Sequence, residues 1–194
     1  MARPREFDRD VAVERAMSVF WSKGYAATST DDLLQAMKIG RQSMYDTFGD
    51  KKRLYVEALG RYQQESVTGH IERLRSGASP LAGVEALLVG VVSTNETRRK
   101  MGCMGVNAVC EFGNIDSELA ELRTRSSRRL HKALIERLQA AQDAGEMVPA
   151  VVIEDAARFV ATTMLGLQVA ARAGESIQAL RKAASFAVAG LKKR

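Results

Sequence analysis

Arg41, Gln42 and Ser43 stand in a row inside a polar stretch, and their side chains suit the edges of bases. Arg pairs with the two acceptors of guanine, Gln with the acceptor and donor of adenine, and Ser with either. Thr28, Tyr45 and Thr47 nearby carry hydroxyls that can reach phosphates. Ser29 and Lys51 each fall where a helix begins, and free backbone N–H groups there favour a phosphate oxygen. The chemistry on offer is recognition of a nucleic-acid duplex rather than catalysis.

These residues need short, rigid carriers. In residues 28–55 Ser29 is a good N-cap, with Asp32 three positions on in the capping-box register. Leu33, Leu34 and Met37 give the helix that follows an apolar side. Lys38-Ile39-Gly40 interrupts it, and a second short helix is predicted over 41–48. Met44, Tyr45 and Phe48 are its apolar positions, which leaves Gln42, Ser43, Asp46 and Thr47 outward. Gly49-Asp50 stops it, and Asp50 caps a third helix that opens with Lys51. Two short helices around a tight turn make a helix-turn-helix, whose second member enters a major groove. Spacing alone leaves open an ordinary helical hairpin with solvated charges.

A resemblance narrows that choice. Phe20 to Tyr25 reads F-x-x-x-G-Y, Thr28 to Leu33 reads T-S-x-x-D-L, Met44 to Phe48 reads M-Y-x-x-F, and Gly49 to Lys51 reads G-D-K. This run resembles the N-terminal domain of the TetR family of bacterial repressors. It departs from the family pattern at Lys38, where Gly is usual, and at Gly40, where Ser or Thr is usual. Lys in a left-handed turn costs more than Gly, so some strain is expected there. Further on, Gly102 to Glu111 resembles a G-C-x-x-V-N-x-x-x-E segment in the regulatory domain of one branch of such proteins.

The resemblance implies a homodimer joined through its last two helices, a near-palindromic double-stranded operator and a small-molecule effector of unknown identity. The expected fold is all-α with about nine helices. A three-helix helix-turn-helix domain would occupy 1–52, and a helical ligand-binding and dimerisation domain 53–194.

Composition agrees with that class. The chain has 194 residues, an apolar fraction of 46% and only 3 Pro. The net charge of +6 permits an anionic partner, but the surplus lies late, in Arg98-Arg99-Lys100, in 123–137 and in Lys192-Lys193-Arg194. The nucleic-acid reading therefore rests on the motif. No apolar run has the length of a membrane span, and the N-terminus lacks a secretory pattern. With two cysteines and no disulfide framework, a reduced cytoplasmic protein is expected.

The rest of the chain reads as carriers. Arg3 and Arg5 beside Pro4 can form a minor-groove arm or an ordinary loose terminus. Asp8 or Asp10 caps a first helix whose inner face is Val13, Ala16, Met17 and Phe20. A helix from Lys51 to about Arg75 leads to Ser79-Pro80, a helix start with an apolar run behind it. Ser93 to Lys100 reads as a polar exit. Asp116 opens a long helix that Gly145 ends. The last two helices are expected near 154–173 and 176–191, with Phe159, Val160, Thr163, Met164 and Leu167 lining the first. Gly166, Ala170 and Ala173 would permit close helix approach.

Met101, Cys103, Met104, Asn107, Glu111, Phe112 and Thr163 are candidates for lining an effector cavity between helices. Core and surface of an ordinary helix is the competing reading. Cys103 and Cys110 read as two small buried side chains. The sharper alternative makes Cys103 a thiol sensor of oxidants or electrophiles, favoured by Arg98, Arg99 and Lys100 before it. The only histidines, His70 and His131, are remote in sequence from both cysteines, so no metal set is expected, and no cofactor motif is present. With no phosphate loop or nucleophile motif, a helical thiol enzyme or a structural adaptor remain minor alternatives.

Overall fold

The computed structural model describes residues 7–193; Arg3, Arg5 and Arg194 lie outside them. Ten helices form among the described residues: α1 (Arg9–Lys23), α2 (Thr30–Met37), α3 (Arg41–Phe48), α4 (Lys51–Ser76), α5 (Pro80–Gly90), α6 (Glu96–Met101), α7 (Met104–Phe112), α8 (Ser117–Asp143), α9 (Ile153–Arg172) and α10 (Ile177–Ala189). The all-α organisation is as expected. The stretch read as a polar exit adds α6, which Asn95 caps by accepting from Arg98 N–H.

The chain forms two compact units. The first takes Met1–Gln63 together with Met104–Arg123, and the second takes Gln64–Cys103 with Thr124–Arg194. The first is thus larger than the N-terminal segment alone, since α7 and the start of α8 belong to it.

The first unit is built on α1. Asp8 caps it through the N–H groups of Asp10 and Val11, and Val13, Ala16, Met17 and Phe20 are buried. Leu33 and Met37 of α2, Met44 and Phe48 of α3, Leu54, Tyr55 and Leu59 of α4, and Met104 and Ala108 of α7 close the same core. Trp21 and Tyr25 pack at its edge. The Phe20 and Tyr55 rings meet edge-on at 5.0 Å, a favoured aromatic geometry.

The turn between α2 and α3 carries the strain the sequence suggests. Lys38 is left-handed (φ 58°, ψ 44°) and is the one non-glycine residue with positive φ among those described. The cost is about 1–2 kcal/mol. Its return is closure of α2: the Lys38 and Ile39 N–H groups both donate to Leu34 O. Arg15 adds a bond to Met37 O at 3.3 Å.

In the second unit α5 is central. Leu81, Val84, Leu87 and Leu88 are buried against Leu134 and Leu138 of α8, Val160 of α9 and Leu180 and Ala184 of α10. Ser79 caps α5, and Pro80 occupies its first position. The Arg137 guanidinium holds this corner by donating to Ser79 O (2.9 Å) and Pro80 O (3.2 Å). At the far end, Val148 N–H donates to Leu191 O and Lys193 N–H to Glu146 O, which clips the C-terminal segment to the α8–α9 connection.

His70 on α4 is buried, with Ser66 Oγ at 3.1 Å and the Arg73 guanidinium at 3.2 Å. Burial, and next the Arg73 charge, hold its pKa down at about 4 against an ordinary 6.5. A depressed folded pKa gives stability that is whole above pH 6.5 and is lost as pH falls toward 4. Thermal melts should therefore show an acid loss of at most about 3 kcal/mol between those limits, and His70→Gln should flatten that part of the curve.

Candidate nucleic-acid interface

The first unit presents α3 on two buried pegs. Met44 and Phe48, one turn apart, sink into the core, and the 3.6-residue period turns the positions between them away from it. Arg41, Gln42 and Asp46 are exposed, while Ser43 and Thr47 are half-buried at the margins. Gly40 begins the helix with no side-chain cap. Gly49 (φ 82°) ends it, and Asp50 accepts from Arg53 N–H at 2.8 Å to start α4.

The two base-reading candidates are occupied in the free protein. Arg41 donates to Asp31 of α2 at 2.6 Å, and Gln42 Nε2 to Asp46 one turn on at 2.7 Å. These are exposed pairs, each worth little in water, so a base edge can replace the carboxylate at small cost. Asp31 and Asp46 were not recognised as such from sequence, although Gln42–Asp46 has the i,i+4 spacing that reveals it.

The residues expected at phosphates divide. Ser29 caps α2, taking the Asp32 N–H at 3.1 Å, while Asp32 returns to the Ser29 N–H at 2.9 Å. Lys23 also holds Asp32 at 2.6 Å, and this bond, with those from Ser29, keeps its carboxyl down at about 2. Lys51 stands at the start of α4, with its Nζ 4.3 Å from the centre of the Tyr25 ring. Tyr45 was expected on the apolar side of α3. It is instead 43% exposed, because Met44 and Phe48 already fill the inner face. Thr28 also needs correction. It is buried, and its hydroxyl donates inward to Gly24 O at 2.6 Å, bridging the α1–α2 connection rather than pointing out.

The effector candidates are distributed over both units. Met104, Asn107, Glu111 and Phe112 lie in the first, and Met101, Cys103 and Thr163 in the second. Met104 is core, and Phe112 packs on Tyr25 and Tyr55 at 5.2 and 5.6 Å. Glu111 accepts from the backbone of Tyr25 and Ala26. Glu111 and Phe112 are thus engaged inside the first unit. The cleft that Phe112 borders there, with Leu59, Ala108 and Leu119, measures about 10 Å³, room for one water. The cysteines also differ from expectation. Cys103 precedes α7 and is half-buried, and Cys110 is exposed on α7. Of the cations before Cys103, Lys100 pairs with Glu96 at 2.7 Å and Arg99 bonds Ser93 O at 3.1 Å.

One residue of the second unit was missed. Gln168 is buried on α9, and its Oε1 has no hydrogen-bond partner, alone in this among the described buried side chains. One turn on, Arg172 donates to Met101 O at 3.1 Å, which puts the end of α6 beside this flank of α9. Thr163 is five residues away, about 140° around the helix. The signal in the sequence was a Gln interrupting the run Val160, Met164, Leu167, Ala171.

An exposed reading helix on a helix-turn-helix, carried by an otherwise helical chain, defines a DNA-binding regulator. Comparison with known proteins agrees. The profile for bacterial regulatory proteins of the tetR family matches residues 12–58, and that for the tetracyclin repressor-like C-terminal domain matches 80–187. The chain is 30% identical over 190 residues to the HTH-type transcriptional repressor ComR of Escherichia coli (strain K12), covering 94% of this chain and 88% of ComR. It is 34% identical over 148 residues to the uncharacterized HTH-type regulator YezE of Bacillus subtilis (strain 168), covering 76% of each. Among solved structures, a triple-cysteine mutant of the TetR family regulator CifR, complexed with 26 bp of double-strand operator DNA, superposes with a TM-score of 0.80. It is 31% identical, with 97% of this chain and 99% of that one covered. The chain belongs to the tetR family of bacterial transcriptional regulators, whose members bind DNA and are not enzymes.

The inward Thr28 hydroxyl makes a specific prediction. Thr28→Val should lower stability by about 1–3 kcal/mol through the unsatisfied Gly24 carbonyl. The salt dependence of DNA binding should keep its slope, since no phosphate contact is removed; urea melts and binding titrations at several salt concentrations check both.

Proposed function

We propose that the chain is a cytoplasmic homodimeric repressor released from its operator by a small-molecule effector. The observation that carries this reading is the outward pair Arg41 and Gln42 on a helix pinned by Met44 and Phe48. Residues 1–52 supply the DNA contacts, through Arg41, Gln42 and Ser43 at bases and Ser29, Tyr45, Thr47 and Lys51 at phosphates. Residues 53–194 serve the effector and the dimer. Two copies related by a two-fold axis read a near-palindrome with half-sites one helical turn, or a multiple, apart. The CifR complex with operator DNA supports the same use of this chain.

The last two helices supply the dimer contact. Phe159, read as lining α9, is 46% exposed, with Leu165 and Val169 on the same outward side of α9, and Phe186 of α10 is 82% exposed. A Cβ added at Gly166 would meet nothing within 4 Å, so another copy can approach closely there. Patches of this kind mark interaction surfaces.

Selection of bound duplexes from random DNA, followed by titration, tests the DNA reading. Gln42→Ala should relax base preference in the half-site. Lys51→Ala should weaken all sequences alike and flatten the salt slope by about one unit. An unchanged preference in Gln42→Ala would remove the base-reader assignment.

Gln168 supports a noncovalent effector that carries a hydrogen-bond donor, since a buried acceptor without a partner costs about 1–3 kcal/mol. An effector acts only by as much as it prefers the DNA-incompetent state. A second reading, covalent sensing at Cys103, is favoured by its incomplete burial and that of Cys110; CifR, too, has been studied as cysteine mutants. One experiment separates them. Gln168→Met should raise the melting temperature of the free protein and abolish release by a noncovalent inducer. Cys103→Ser should leave that release intact and abolish only release by electrophiles.

A further inference from the structure

We infer that Glu111 is a positioning residue for DNA binding, acting through the connection between α1 and α2. α1 ends at Gly24 with φ 83°, which leaves the N–H groups of Tyr25 and Ala26 outside any helix ladder. The Glu111 carboxylate of α7 takes both. Oε2 lies 2.9 Å from Tyr25 N and 3.1 Å from Ala26 N, and Oε1 lies 3.2 Å from Tyr25 N. Charge-assisted bonds of this kind are stronger than neutral ones. Gly24 suits this approach: its φ of 83° is one that L side chains rarely adopt, and a Cβ there would stand 2.2 Å from Oε1 and push the carboxylate aside.

What Glu111 holds leads directly to the DNA-facing groups. Tyr25 O accepts from Thr28 N–H, and Gly24 O accepts from the Thr28 hydroxyl. The next residue, Ser29, caps α2. The Tyr25 ring packs on Phe112, the neighbour of Glu111, and carries Lys51 over its face. Lys52, beside Lys51, pairs with Asp116 and lies 5.3 Å from the centre of the Phe112 ring. The α7 segment thus grips both the turn before α2 and the first residues of α4, the two helix starts assigned to phosphates. Glu111 touches no base or phosphate in this role; it sets where those helix starts stand.

This inference rests on the DNA reading above, and the test keeps the two apart. Full-length Glu111→Ala and Glu111→Gln are titrated against the duplex recovered by selection, well below their melting temperatures and over a range of salt. Amide exchange is followed at Tyr25 and Ala26. Glu111→Ala should weaken binding about tenfold, the weight of one charge-assisted hydrogen bond. The salt slope should stay unchanged, because no phosphate contact is lost, and exchange at Tyr25 and Ala26 should quicken. Glu111→Gln, which keeps one acceptor oxygen, should fall between and stands in if the alanine variant does not fold. Unchanged or tighter binding, with only the melting temperature lowered, would make Glu111 a purely structural contact and overturn the inference. If Lys51→Ala loses affinity in that same experiment, the DNA reading survives either way.

Discussion

An eight-residue helix does not hold together in water on its own. α3 exists because Met44 and Phe48 are buried, and nearly everything else about the first unit follows from keeping them so. Their burial sets the rotation of the helix, and rotation decides which side chains meet a partner. It also explains Tyr45. With the inner face already filled, a large aromatic next to Met44 has only the outside to occupy, where its polar tip is an asset.

The same constraint reaches back along the chain. A helix held by two pegs is only as well placed as the core that receives them, and α1, α2, the start of α4 and α7 all contribute to that core. The left-handed Lys38 is the local cost of bringing α2 and α3 together in three residues. Glu111 and Thr28 satisfy the backbone groups that the sharp exit from α1 would otherwise leave open. Exposed pairs such as Arg41–Asp31 add little stability, which is what a contact needs if it is to be exchanged for DNA.

The second unit obeys a different economy. Its core around α5 is dense and apolar, and α9 and α10 pack one face against it while keeping large apolar side chains on the other. Gln168 is the polar exception on the packed face. Local rules of folding are broken most often where function intervenes, and the two departures here, an orphan amide inside and phenylalanines outside, are where the effector and the second copy are proposed to act.

Residue order alone determined the reading motif and most of the helices, though not α6. Apolar spacing, Ser29 with Asp32, Ser79 with Pro80, and the glycines at 49 and 145 are local signals, and a helix is a local structure. The bounds of α3, the cap of α2 and the strained turn at Lys38 were legible for that reason. Tertiary structure decided which residues those helices spend on each other. Thr28 faces Gly24 rather than a phosphate, Glu111 reaches 86 positions back to Tyr25, and Phe159 faces outward. Pairings of that kind depend on where distant segments meet, and no periodicity along one chain records that distance.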